Sequence, residues 1–401
     1  KAKILHIPIT SALFDGQGKI IKPEVDGVNS SNNEVTLNLI EKQQSFVFNN
    51  VLSNPTLSLL RGFSAPVKLI MQRPLTELAF LLAHDNDTFN RWEAGQQLSA
   101  AVIFDLVSAI QNQQALSVPN LLIQSFATLL EQEWDDLSYL ACLLVLPAEN
   151  YLAEQMTVVD TSAIHQARNF VKSAIAEQLK TQLTDLYQSN QQNETGELNP
   201  KAIASRKIKN ICLSYLSQLE HGDSYYLANQ QFAQAKTMTD QISALGAIVN
   251  SNNPAKENCL ARFYQQWQNE ALVIDKWFSL QASSSQSDTL NTVQKLLQHP
   301  AFDLKNPNRV RALVGAFSQA NPVHFHAASG LGYQFLADQV IALNTLNPQV
   351  ASRMVSALTS WRRFDESRQT LIKQQLERII NTENISKDVF EVANKSLQPT
   401  S

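Results

Sequence analysis

The segment IKNICLSYLSQL, residues 208–219, decides the fold class of this chain. Its apolar side chains follow one another at intervals of three, one, three, one and three positions. They are Ile208, Ile211, Cys212, Tyr215, Leu216 and Leu219. This spacing places them on a single stripe of an α-helix, because residues three and four apart share one helix face. An apolar stripe needs a partner to cover it, so the segment predicts a helix packed against other helices.

The same spacing continues from about residue 76 to the end of the chain, for example at Val310, Leu313, Val314 and Phe317. Helix starts are predicted where Asn, a preferred N-cap, precedes Pro, which fits the first helical position. Such pairs occur at Asn199-Pro200, Asn253-Pro254, Asn306-Pro307, Asn321-Pro322 and Asn347-Pro348. Short loops between many helices favour stacked hairpins, so we predict a solenoid-like superhelix of the HEAT or armadillo kind.

Residues 1–75 have a different character, since they hold five of the 14 prolines and four of the 11 glycines. Apolar residues alternate with a period of two at 7–9, 35–39 and 67–69, which is typical of strands. Asp15-Gly16-Gln17-Gly18 has the composition of a hairpin turn. We therefore predict a small immunoglobulin-like β-sandwich at residues 1–75 and an all-helical domain at 76–401, within a mainly α fold.

The composition limits the possible partners and the compartment. A net charge of −4 gives no positive field for nucleic acid or anionic lipid, so neither partner is expected. Cys142, Cys212 and Cys259 lie in apolar stretches and are predicted to be reduced core residues of a cytoplasmic protein. The chain begins at Lys1 without a methionine, which suggests a fragment of a longer protein.

A search for catalytic motifs finds none. The zinc-hydrolase motif H-E-x-x-H is absent from the sequence, as is the nucleophile elbow G-x-S-x-G. Of the seven histidines only His324 and His326 are close together, and no third metal ligand is near them in sequence. Ordinary helix-end histidines remain the favoured interpretation, so no catalytic residue, metal ligand or cofactor is predicted within this chain.

Arginines are the more informative charges. Arg309 and Arg311 lie in the first turns of the helix predicted to begin at Asn306-Pro307, and Arg353 lies in the helix predicted after Asn347. Two neighbouring hairpins would then point guanidinium groups at one place. A guanidinium binds a carboxylate through two parallel hydrogen bonds, as recognition of a peptide C-terminus requires. From the pattern alone, ordinary surface salt bridges remain the favoured alternative.

Four stretches together resemble the aminopeptidase N family of bacterial zinc aminopeptidases. They are FSAPVK at 63–68, LVIDKWFSLQA at 272–282, NPNRVR through GAF at 306–317, and LNPQVASR at 346–353. The resemblance implies an enzyme of four parts, of which this chain is similar to the last two: the β-sandwich and the helical superhelix. The zinc motif and the Gly-x-Met-x-Asn signature of the family are absent from the chain, so zinc is expected only in the missing catalytic domain.

The resemblance also implies partners and a site. The helical domain of this family caps the catalytic domain and closes a chamber that admits peptides. Its implied partners are the catalytic and N-terminal domains of the same polypeptide, together with peptide substrates. Arg311 and Arg353 match positions that would face this chamber and bind the C-terminal side of a peptide. Two alternatives remain open: a freestanding helical-repeat interaction scaffold, and a hydrolase that uses His324 and His326.

Overall fold

The structure is a computed structural model that describes residues 5–22, 24–28, 30–31, 33–51, 54–192 and 196–399. By their contacts the residues form two compact units, Lys1–Pro147 and Ala148–Ser401. The first unit contains all strands of the described residues and also the first four α-helices. The predicted division at residues 75 and 76 stays a prediction, and its outer ends, residues 1–4 and 400–401, lie outside the described residues.

The strands of the first unit form an antiparallel sheet around β1. The strands are β1 (Ile7–Phe14), β2 (Ile20–Ile21), β3 (Glu24–Val25), β4 (Ser30–Ser31), β5 (Glu34–Leu39), β6 (Phe48–Asn49) and β7 (Thr56–Leu59). Strand β1 pairs with β2, β5 and β7, while β3 pairs with β6 in a second small sheet. Leu13 and Phe14 of β1 are buried together with Val35 and Leu37 of β5, so these two strands supply the core of the β region.

The predicted strands were partly right. The alternating stretches at 7–9 and 35–39 lie in β1 and β5, and Gly18 in the predicted turn has a φ of +82°. The strand predicted at 67–69 is wrong. Val67 and Leu69 are exposed and pair with no described strand, because apolar alternation produces a strand only where a neighbour supplies the ladder hydrogen bonds. Strand β7 was missed, although Leu57 and Leu59 alternate with the polar residues Thr56 and Ser58.

Four helices complete the first unit. They are α1 (Leu75–His84), α2 (Thr88–Gln111), α3 (Asn120–Glu131) and α4 (Leu137–Leu143). Arg61 connects this part of the unit with the sheet, because its Nε donates to Glu34 Oε1 at 2.7 Å and its Nη1 to Asp85 Oδ1 at 2.5 Å. Cys142 of α4 is exposed, which corrects its predicted core position, whereas Cys212 and Cys259 are buried.

The second unit consists of helices joined by loops, with no strand among its described residues. Its α-helices are α5 (Glu149–Gln155), α6 (Thr161–Gln178), α7 (Lys180–Gln192), α8 (Pro200–Leu216), α9 (Gly222–Gln234), α10 (Met238–Val249), α11 (Lys256–Trp267), α12 (Ala271–Ala282), α13 (Thr289–Leu296), α14 (Pro307–Val310), α15 (Ala316–Ala320), α16 (Pro322–Phe325), α17 (Leu331–Asn344), α18 (Pro348–Val355), α19 (Glu366–Ile380) and α20 (Lys387–Leu397). The predicted mainly α fold class is confirmed. No helix of the described residues has the length and apolar content needed to cross a membrane.

Four of the five predicted helix starts are confirmed, since Asn199, Asn306, Asn321 and Asn347 each accept a backbone hydrogen bond as the N-cap. The start predicted at Asn253 is wrong. Its side chain accepts from the amide of Ala255 at 2.9 Å, so Asn253 forms a turn that precedes α11.

The helix predicted after Asn306 has an irregular centre. Helices α14 and α15 are joined without a break by a π-helical segment, Arg311–Gly315, in which the hydrogen bonds span five residues. Val310, Leu313, Val314 and Phe317 are fully buried, so the predicted apolar stripe is confirmed although the helix is not uniformly α.

Candidate functional site

Arg309 does not belong to a binding surface. Its Nε donates to Ala301 O and its Nη1 to Ala271 O, both at 2.9 Å, and its guanidinium forms an ion pair with Asp275. The guanidinium carbon also lies 5.7 Å from the ring centroid of Phe278. Arg309 is 8 % exposed. Through these contacts its side chain joins α12, α14 and the loop before α14.

Arg311 and Arg353, in contrast, are both exposed. Arg311 begins the π-helical segment and donates to Asn308 Oδ1 at 2.9 Å, whereas Arg353 lies in the last turn of α18. Neither forms an ion pair with a carboxylate of the described residues. Their elements are in contact, because a Cβ placed on Gly315 would lie 3.8 Å from Met354 Cε and from Arg311 Cβ. A ligand role for the two arginines stays a prediction.

His324 and His326 have separate partners. His324 Nε2 lies 2.9 Å from Ser285 O, and His326 Nδ1 lies 3.1 Å from Tyr333 Oη. Burial, with a smaller contribution from Arg368, lowers the pKa of His326 to about 3, so this imidazole is neutral at physiological pH. Among the residues that the structure describes, no three His, Cys, Asp or Glu side chains form a potential metal cluster.

A cavity of about 750 Å³ lies within the second unit, and we call it the α6 cavity. Its walls come from α5, α6, α8, α10, the loop after α12 and the start of α16. The residues that line it are mainly polar, and they include Glu149, His165, Arg168, Asn169, Lys172, Asn210, Ser214, Glu220, Ser243, Asn250, Ser285 and Asn321. Its size is typical of a site for a small ligand.

Helix α6 contributes the charged wall of this cavity. His165, Arg168, Asn169 and Lys172 follow at intervals of three, one and three positions, so they share one helix face. Asn169 Nδ2 lies 2.8 Å from His165 Nε2, and His165 Nδ1 lies 2.7 Å from Glu149 Oε1. In this arrangement Asn169 donates to Nε2, and the proton on Nδ1 is donated to Glu149.

Lys172 has no such partner. Its ammonium lies 5.8 Å from the ring centroid of Tyr215, and no carboxylate of the described residues lies within ion-pair distance of it. Burial, assisted by the nearby charge of Arg168, lowers the pKa of Lys172 from 10.5 to about 7. The ammonium therefore loses hydration without gaining a counter-ion.

This charged wall was missed in the sequence, although a signal for it exists. The apolar stripe of α6 contains Ile164, Ala167, Val171 and Ile175, which are all buried. The residues that line the cavity fall between these positions with the same helical spacing. A search for a second, polar stripe on the same helix would have placed these four residues on one face, but it would not have shown that this face lines a cavity.

Two protein-family models match the chain. One, described as a domain of unknown function with an Ig-like fold (DUF3458), matches residues 1–72. The other, described as a domain of unknown function with ARM repeats (DUF3458_C), matches residues 75–398.

Curated relatives are named aminopeptidase N. The Escherichia coli K12 protein is 38% identical over 395 residues, and the Haemophilus influenzae protein is 38% identical over 394 residues. Each match covers 98% of this chain and 45% of the relative, so the chain spans less than half the length of these relatives. The predicted resemblance is confirmed.

Among solved structures, the crystal structure of Legionella pneumophila aminopeptidase A in complex with aspartic acid is similar, with a TM-score of 0.84 and 30% sequence identity. The similarity covers 98% of this chain and 45% of that protein.

Proposed function

Because this chain belongs to the ARM-repeat family DUF3458_C, we propose that it is the non-catalytic C-terminal part of a zinc-dependent aminopeptidase N that removes N-terminal residues from peptides. One observation carries the proposal: the similarity to proteins of that name covers 98% of this chain but only 45% of their length. Zinc and the catalytic residues are then expected in the part of those relatives that this chain does not match.

Within such an enzyme, the helical repeats cap the active-site chamber and control the access of peptides. Arg311 and Arg353 bind the C-terminal side of the substrate. Three features support this role: both side chains are exposed, neither has a carboxylate partner among the described residues, and their elements are in contact. Guanidinium groups in this situation are available for the carboxylate of a peptide. We also propose that the enzyme is cytoplasmic.

Complementation tests the proposed role of the chain. The chain and the separately expressed remainder of the aminopeptidase N from the same source are assayed alone and mixed, with an alanine anilide as substrate. We expect hydrolysis only in the mixture. Hydrolysis by this chain alone that a chelator abolishes would contradict the proposal, and a mixture that never forms a complex would favour the freestanding scaffold.

A second experiment tests the two arginines in the assembled enzyme. Arg311→Ala and Arg353→Ala should each raise KM for a short peptide with a free C-terminus about tenfold, the effect of one lost charge-assisted contact. The C-terminal amide of the same peptide should be unaffected. Arg378→Ala is the matched control, since Arg378 is an exposed arginine paired with Asp338. Equal increases in KM for the free peptide and for its amide would show that the two arginines do not recognise the carboxylate.

A further inference from the structure

We propose that a surface of the first unit, made of residues 66–72 and the side chains of Phe63 and Phe89, binds the part of the parent aminopeptidase that this chain does not match. We call it the docking surface. The inference rests on the proposed function, because only a longer parent polypeptide supplies this partner. It goes beyond that function by assigning the contact to particular residues.

Residues 66–72 form an exposed and mainly apolar segment. All seven residues are exposed, and none lies in a helix or strand. Four of them are large and apolar: Val67, Leu69, Ile70 and Met71 are 42, 46, 87 and 41 % exposed. Lys68 is the only charged residue of the segment. Contiguous apolar side chains in water are typical of a surface that binds a partner, because their burial is favourable.

The segment is held at both ends. Before it, the amide of Thr10 in β1 donates to Ser64 Oγ at 2.9 Å, and Ala65 is buried. After it, the guanidinium of Arg73 forms an ion pair with Glu77 of α1. These contacts fix where the apolar side chains emerge, which reduces the entropy that a partner must remove on binding.

Phe63 lies in a strained turn just before this segment. The φ angles of Leu60, Gly62 and Phe63 are +58°, +61° and +54°. Glycine adopts this left-handed region freely, whereas a leucine or a phenylalanine adopts it at a cost in energy. The Phe63 side chain is nevertheless 68 % exposed, so its own burial does not offset this cost.

Buried polar contacts maintain the turn. Arg61 is 3 % exposed and donates to Asp85 Oδ1 at 2.5 Å. The amide of Gly62 donates to Asp87 Oδ2 at 2.9 Å, and Asp87 is also the N-cap of α2. The surrounding structure therefore imposes a strained conformation that keeps the ring of Phe63 in solvent, as is expected of a side chain used in binding.

The composition of the surface favours a protein partner that is always present. The ring centroids of Phe63 and Phe89 are 4.3 Å apart, and Phe89 is itself 38 % exposed. Aromatic residues and Met are enriched in protein interfaces, and permanent interfaces are more apolar than transient ones. The chain matches only 45% of the length of its relatives, so more than half of such a protein remains to supply this partner.

Oxidation of Met71 by dilute hydrogen peroxide tests whether a partner covers the surface. Sulfoxide formation depends on the exposure of the thioether, and mass spectrometry measures it at each methionine. We expect Met71 to be oxidised severalfold more slowly in the intact aminopeptidase from the same source than in this chain alone. Met354 is buried and should be oxidised slowly in both, which verifies that the chain is folded.

The same substitutions in the chain alone and in the intact enzyme connect this protection to the surface. In the chain alone, thermal unfolding should be unchanged by Ile70→Ser, and Phe63→Gly should not lower its midpoint because glycine relieves the strain. In the intact enzyme, each should lower by about 2 °C or more the temperature at which hydrolysis of an alanine anilide is lost. Leu198→Ser is the matched control, since Leu198 is 80 % exposed and lies outside the surface.

The outcomes separate this inference from the proposed function. If the intact enzyme is active but its Met71 is oxidised as fast as in the chain alone, the docking surface is overturned while the proposed function stands. An intact polypeptide without peptidase activity contradicts the proposed function and removes the partner named here. Slow oxidation that becomes fast when the intact enzyme is diluted would assign the surface to a second copy and would also overturn the inference.

Discussion

Two lysines of the second unit differ in whether a carboxylate pairs with their ammonium group. Lys209 of α8 and Asp240 of α10 have side chains that are each 1% exposed, and their Nζ and Oδ2 atoms are 2.6 Å apart. Asn210 donates to the other oxygen of Asp240 at 3.0 Å. Lys172 of α6 lies at the cavity wall with an aromatic ring in place of a carboxylate. Both are lysines on helices of the same array, but of these two only Lys209 has a carboxylate partner among the described residues.

The difference teaches how to separate structural from functional cations in a helical array. A cation with a buried carboxylate partner stabilises the packing of two helices, and removal of one partner leaves an unpaired charge. A cation that lines a cavity without a carboxylate partner is available to a ligand and costs stability until one binds. Arg309 falls in the first class. Arg311 and Arg353 are exposed to solvent, so their charges do not reduce the stability of the fold in this way.

The largest effect is expected when the buried pair is broken. Lys209→Met leaves Asp240 buried without its cation, which should reduce the free energy of unfolding by about 3–5 kcal/mol. Urea unfolding of the variant measures this loss. The double variant Lys209→Met with Asp240→Leu removes both charges and should recover most of it. If the single variant were as stable as the unchanged chain, the contrast between the two lysines would disappear.

Arg309→Lys should be the next most disruptive change, with a loss of about 2 kcal/mol in the free energy of unfolding, because a lysine cannot maintain the arrangement of two carbonyls and one carboxylate around a planar guanidinium. Thermal unfolding provides the measurement. Arg378→Lys is the exposed control and should change little. Similar losses of stability in both variants would show that Arg309 contributes no more to the folded state than an exposed arginine does.

Lys172→Met should change the free energy of unfolding in the opposite direction and stabilise the chain. Folding lowers the pKa of Lys172 from 10.5 to about 7, so the cost of its burial is fully present below pH 7 and is relieved as the pH rises toward 10.5. The substitution should therefore stabilise the chain by about 1 kcal/mol at pH 6 and by less at pH 9, after allowance for partial solvent screening. Urea unfolding at the two pH values measures the difference. A variant that is less stable at both would indicate a structural lysine.

Arg311→Ala and Arg353→Ala should have the smallest effects on stability, below about 0.5 kcal/mol each, because exposed side chains without ion pairs contribute little. Thermal unfolding of each variant, beside Arg309→Lys, provides the comparison. A loss as large as that of Arg309→Lys would place either residue among the structural cations.

The sequence predicted those features that depend on local periodicity and on caps. The stripe that includes Ile208, Cys212 and Tyr215 is buried as expected, because helical spacing alone determines which side chains share a face. Asn306 and Asn347 begin helices because their capping bonds are local.

Features that depend on distant partners were missed. The role of Arg309 depends on Asp275 and Ala271, which are more than 30 positions away in the sequence. Among the described residues Lys172 has no carboxylate partner, which is likewise a property of the packed array and has no local signal in the sequence. For the candidate site, the sequence could therefore supply residue types such as Arg311 and Arg353, while the α6 cavity had to come from the structure.

The π-helical segment Arg311–Gly315 has a consequence for chain length. A π turn contains about one residue more than an α turn, so the segment holds one residue beyond what a regular helix needs. Loss of one residue here would let α-helical hydrogen bonding run through the segment while the faces of α14 and α15 keep their directions. A deletion of one residue in this segment should therefore be absorbed without rotating Phe317 out of the core.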